Sequence, residues 1–139
     1  MLLLHSTRAD VEKLFGKPSS GQGYLVGYKL NNGTLDLEYY PFDHCTPSHS
    51  VPADLNIPEW TVTDIEFQPD RQPTVASLHL NLKQLRMAHL NPETPQLLSY
   101  LDDKEGIEYT VDESSHNHTL NSVRYFPGSR HDSLRCPTK

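Results

Sequence analysis

A chain of 139 residues with 35% hydrophobic and 22% charged residues is long enough to bury a hydrophobic core, and this composition excludes a disordered chain. Eighteen acidic against twelve basic residues leave a formal charge of −6, which argues against nucleic acid as a partner, because phosphate binders carry the opposite balance. The first apolar run, Met1 to Leu4, is far too short for a membrane span or a signal-peptide core, and no later run approaches membrane length. Structured-looking sequence follows almost at once, as expected of an exported protein whose signal preceded Met1.

Ser6-Thr7-Arg8-Ala9-Asp10-Val11-Glu12-Lys13-Leu14-Phe15-Gly16 predicts a helix. Ser6 or Thr7 can cap its first turn, with Asp10 answering in a capping box, and Val11, Leu14 and Phe15 form a narrow apolar stripe. Gly16 and Pro18 end it. Ser19-Ser20-Gly21-Gln22-Gly23 lies after a helix rather than before one, so it reads as a flexible connection and not a phosphate cradle. Two strands follow, 24–30 and 34–39, joined by Asn31-Asn32-Gly33, whose Asn-Gly step suits a tight hairpin turn. Leu35, Leu37 and Tyr39 alternate with Asp36 and Glu38, which marks one buried and one wet face. Residues 41–58 hold four prolines and no periodicity, a long loop. A strand from Trp60 to Phe67 follows, with Ile65 and Phe67 inward and Asp64 and Glu66 outward.

In the second half Leu82, Leu85 and Ala88 or His89 fit a short helix before Asn91-Pro92. Residues 97–101, 107–111 and 120–126 read as strands, with a turn at 102–106 and a polar loop at 113–118. The helix-then-strands order thus recurs. Gly33-Thr34-Leu35-Asp36-Leu37-Glu38-Tyr39 parallels Gly106-Ile107-Glu108-Tyr109-Thr110-Val111, and Pro18 parallels Pro92. This predicts an α+β fold within one domain spanning 1–139: two tandem units, about 4–69 and 78–128, with a tail at 129–139. About six antiparallel strands would carry helices on one face.

Ser6-Thr7-Arg8-Ala9-Asp10-Val11 followed by Leu14-Phe15-Gly16-Lys17-Pro18 resembles the helix motif of the SmpA/OmlA (BamE-like) and β-lactamase-inhibitor-protein-like folds. The second unit departs from the motif, with Leu90 where the first has Gly16. The whole chain also resembles a group of uncharacterised bacterial proteins with a comparable start, a Cys in the middle loop and an Arg-Cys near the end. The resemblance implies binding and envelope assembly in an exported protein, without catalysis, and names no partner.

Cys45 and Cys136 both sit in polar, loop-like sequence. They are either two separate thiols or one disulfide, which would contribute on the order of 4 kcal/mol by the chain-entropy model and require an oxidising compartment. Asp43-His44-Cys45 with His49 is the densest ligand-capable cluster; imidazole and thiolate suit zinc, with His116 or His118 as a further ligand. A disulfide at Cys45 competes directly with that site. Arg130-His131-Asp132-Ser133 holds triad residue types, but neighbours in sequence cannot converge as a triad does. Asp36, Glu38, Asp64 and Glu66 would form a solvated acidic strip if their strands are adjacent.

Aromatic residues beside the proline-rich loop suggest a protein-binding patch anchored by Phe42 and Trp60. The expected function is therefore a non-enzymatic binding or structural module for an unknown protein partner, with no cofactor and no nucleic acid, exported to a periplasmic or extracellular space. A zinc-binding protein using His44, Cys45 and His49 is the first alternative, and a small enzyme of unrecognised type the second.

Overall fold

The computed structural model describes residues 1–46, 54–89, 92–114 and 116–137. Among them are one α-helix, α1 (Arg8–Phe15), and eight strands: β1 (Ser20–Gln22), β2 (Leu25–Leu30), β3 (Gly33–Tyr39), β4 (Val62–Pro69), β5 (Arg86–His89), β6 (Leu97–Asp102), β7 (Ile107–Asp112) and β8 (Thr119–Tyr125). All eight join one sheet in the order β1-β2-β3-β4-β8-β7-β6-β5, with every pairing antiparallel. The protein is therefore mainly β, which corrects the expected α+β class.

The expected tandem of helix-plus-strand units, with about six strands under helices, is likewise overturned. Leu82, Leu85 and Ala88 have helical spacing, yet 82–84 form only a short 3₁₀ turn and 86–89 run as β5 along β6. Four residues gain ladder hydrogen bonds at a sheet edge, and Arg86 pairs with Asp103 at 2.7 Å. An isolated helix of that length is marginal in water, so tertiary pairing overrides the local pattern. The supposed flexible connection after α1 is also a strand. Gly27, opposite Ser20, makes this possible: a Cβ there would lie 2.5 Å from the Ser20 hydroxyl oxygen.

Other elements follow their local chemistry. Thr7 caps α1 in a full capping box, its own N–H donating to Asp10 Oδ2 at 2.9 Å. Gly16 takes φ +77° and donates its N–H to the Glu12 carbonyl at 2.8 Å. Val11, wholly buried, presses α1 onto one sheet face, against Val26, Tyr28, Leu35, Leu37, Tyr39 and Val62. A smaller cluster of Leu4, Tyr40, Leu55 and Ile57 lies under the loop that follows β3. The face opposite α1 is polar and open.

Candidate functional site

Alternation and register together build the open face. Asp36 lies opposite Glu66 across β3–β4, Glu66 opposite Arg124 across β4–β8, and Glu108 opposite Arg124 across β7–β8. One continuous row of side chains thus crosses four strands. In the neighbouring row Glu38 lies opposite Asp64. A groove of about 680 Å³ runs over this face, lined by five carboxylates (Asp36, Glu38, Asp64, Glu66, Glu108) and one guanidinium, Arg124.

Arg124 binds two of those carboxylates. Its Nε donates to Asp64 Oδ2 at 2.8 Å and its Nη1 to Glu108 Oε1 at 3.2 Å. The guanidinium lies 5.2 Å from the centre of the Phe126 ring. Glu108 also accepts from the Ser99 hydroxyl. Burial pushes the Asp64 carboxyl up from its ordinary value; Arg124 opposes that shift, while Glu38 and Glu66 add to it. With the charge of Arg124 committed to this pair, Asp36, Glu38 and Glu66 have neither ion pair nor side-chain hydrogen bond among the described residues. The row of small hydroxyls beside Glu108, namely Ser122, Thr110 and Ser99, is buried, and Thr110 lines the groove.

The groove continues past Glu38, Asp64 and Arg124 into a second compartment of about 630 Å³, walled by Phe42, Phe126, Pro127, Leu55 and Arg135. Arg135 pairs with Asp54 at 2.9 Å. One trough therefore has a carboxylate-rich end and an aromatic and proline-rich end.

The residues singled out in the sequence are distributed as follows. Phe42 is half-buried, meets Tyr40 edge-on with ring centres 5.7 Å apart, and faces the second compartment. Trp60 stacks on Tyr24 at 4.3 Å under the Arg8 guanidinium, and borders a separate hollow with Thr7, Ala9 and Glu12. The two expected anchors thus line different hollows. Cys45 and Cys136 form a disulfide, their Cα atoms 5.7 Å apart. His44 Nδ1 is 3.1 Å from Asn56 Oδ1; His49 lies outside the described residues. His116 and His118 border another hollow beside Thr74 and Val75. Among the described residues no group of three His, Cys, Asp or Glu side chains converges as metal ligands. Arg130 pairs with Glu105, and the buried His131 Nδ1 has no hydrogen-bond partner among the described residues.

The acidic strip itself was legible, since β3 and β4 are adjacent and place the four expected carboxylates together. Arg124 and Glu108 were missed. Both stand at outward positions of alternating strands, a readable signal, but only the pairing of β4 with β8 brings them to Asp64.

No helix among the described residues is long and apolar enough to cross a membrane. No family model matches the chain, and no curated protein matches it significantly. Among solved structures it is similar to a DUF4309 family protein (YjgB) from Bacillus subtilis subsp. subtilis str. 168, with a TM-score of 0.52 at 18% identity, covering 88% of this chain and 78% of that one. At that identity the likeness concerns the fold alone, and it replaces the expected likeness to the SmpA/OmlA and inhibitor-like folds: their helix motif is present in α1, but the sheet it precedes is a different one.

Proposed function

We propose that the protein is a non-enzymatic binding module whose open sheet face takes a protein segment carrying basic residues followed by an aromatic or aliphatic one. One observation carries this reading. Asp36, Glu38 and Glu66 stay uncompensated while Arg124 is committed to Asp64 and Glu108, and the same trough runs on to Phe42, Phe126 and Pro127. A cationic side chain gains at the first end by charge complementarity, and an apolar side chain gains at the second by losing water. The disulfide supports an exported setting, because such bonds persist in oxidising compartments.

Calorimetric titration with a peptide of Lys/Arg residues followed by Phe tests the reading. Binding should weaken as salt rises. The variant D36N/E38Q/E66Q should bind roughly tenfold more weakly, in line with three exposed ion pairs of a few tenths to one kcal/mol each. Equal binding of an acidic peptide, or an unchanged affinity in that variant, would overturn it.

A further inference from the structure

The apolar end of the trough is held by a covalent clasp outside the eight-stranded sheet. Residues 54–57 run between two flanking pieces of chain. On one side the His44 N–H donates to the Ile57 carbonyl at 2.9 Å and the Cys45 N–H to the Leu55 carbonyl at 3.2 Å. On the other side the Asn56 N–H donates to the Leu134 carbonyl at 2.7 Å and the Cys136 N–H to the Asp54 carbonyl at 2.8 Å. Leu55 and Arg135 form an antiparallel bridge, and Arg135 also donates to the Pro127 carbonyl at 3.2 Å. The Cys45–Cys136 bond ties the two flanks together. Phe42, Leu55, Pro127 and Arg135, which wall the second compartment, are therefore carried by the three pieces of chain that this bond holds together or by residues hydrogen-bonded to them.

Two features make the clasp releasable. His44 and Cys45 sit consecutively at φ 44° and 60°, a left-handed conformation that residues with a Cβ adopt sparsely and leave when the surrounding constraint is lifted. Both cysteines are only partly buried, so a thiolate can reach them.

We infer that Cys45–Cys136 is a redox clasp regulating the trough: oxidised, it holds the aromatic wall in place; reduced, it lets residues 43–46 and 129–137 separate from 54–57 and the wall comes apart. The reductant is a dithiol. Its first thiolate attacks one sulfur of the cystine, forming a mixed disulfide and expelling the other sulfur as thiolate. Its second thiol then displaces the remaining cysteine. The protein gains two electrons and two protons as two thiols, and the reductant leaves as a disulfide. The regulatory meaning rests on the docking reading above, whereas the movement of the wall does not.

Hydrogen exchange and peptide titration on oxidised and dithiothreitol-reduced protein test the two parts separately. Reduction should speed exchange at the Asn56 and Cys136 amides at least tenfold while leaving β3 and β4 unchanged, and should weaken the Lys/Arg–Phe peptide at least tenfold. Unchanged exchange at Asn56 and Cys136, equal acceleration throughout β3 and β4, or equal peptide affinity in both states overturns the clasp. If the oxidised protein binds no peptide, the docking reading fails and the exchange data alone decide whether the clasp exists. R135A keeps the bond and removes the Asp54 pair. Its oxidised form should exchange within threefold of the parent at Asn56; acceleration equal to that of the reduced parent would make the ion pair the clasp and overturn the role of the bond.

Discussion

The two halves of the sheet solve the problem of burying a face in different ways. In the half formed by β1 to β4, α1 covers one face, and Val11, Leu37, Tyr39 and Val62 are almost fully removed from water. In the half formed by β5 to β8, the described residues hold no α-helix over the equivalent face. There Met87 is 54% exposed and Tyr125 41% exposed, and Tyr100 and Tyr109, opposite one another, stay half-buried. The second half is held by a shorter apolar row, Leu98, Val111 and Leu120, which is buried across β6, β7 and β8, together with its ladder to β4 and the Arg124 pairs with Asp64 on β4 and Glu108 on β7. Hydrophobic burial under a helix dominates the first half, whereas a shorter buried row, strand pairing and charge together hold the second.

Core truncation gives the sharpest break of that contrast. Leu37→Ala should cost about 3 kcal/mol, whereas Met87→Ala should cost well under 1 kcal/mol, both read from urea unfolding. Equal losses would mean that the β5 edge is buried as the centre of the first half is.

Arg124→Ala comes next, at about 1–2 kcal/mol, a figure kept low because the side chain is 40% exposed. Its removal leaves Asp64 and Glu108 ionised and half-desolvated, pushing the Asp64 carboxyl further up. The loss should therefore be full at neutral pH and shrink as pH falls and Asp64, whose carboxyl is already pushed up, takes up a proton. A loss that does not depend on pH would assign Arg124 a packing role instead.

Tyr39 reports the dryness of the first core. Burial pushes its phenol up to about 12, and its hydroxyl has no hydrogen-bond partner among the described residues. The folded state holds this proton more tightly than the unfolded one, so the stability it contributes is complete below the ordinary value of 10 and is lost as pH rises towards 12. In an ultraviolet phenolate titration one tyrosine should lag the others, and Tyr39→Phe should abolish the lag.

The smallest effect concerns His131, pushed below its ordinary value of 6.5 by desolvation and then by Arg130. Its contribution is present above that ordinary value and lost as pH falls through the lower folded one. His131→Gln should flatten this shallow acid-side slope, read from thermal unfolding between pH 7 and 5; an unchanged slope would place the acid sensitivity elsewhere.

Local chemistry made much of this legible. The Thr7 and Asp10 capping box, the Gly16 stop and the alternation of Leu35, Leu37 and Tyr39 with Asp36 and Glu38 all depend on residues within a few positions of each other, where backbone preference and side-chain period act directly. The hairpin turn also falls where expected, but it is Asn31-Asn32, with Gly33 already in β3 and without the positive φ expected of an Asn-Gly step. The last three strands were also legible as segments, and in the second of them the alternation of Ile107 and Tyr109 with Glu108 is visible without coordinates. The Cys45–Cys136 pair was one of two open readings, because loop-like surroundings allow a disulfide without requiring it.

Tertiary structure decided the rest. Residues 86–89 have a helical spacing but gain more from the free edge of β6, and Ser20–Gln22 becomes a strand because Gly27 leaves room opposite Ser20. The order that sets β4 beside β8 brings Arg124 to Asp64 across a separation of 60 residues and creates the trough. Such pairings are chosen by which apolar faces can be covered and which polar edges can be satisfied once the whole chain is collapsed, a comparison of global alternatives that no local window contains.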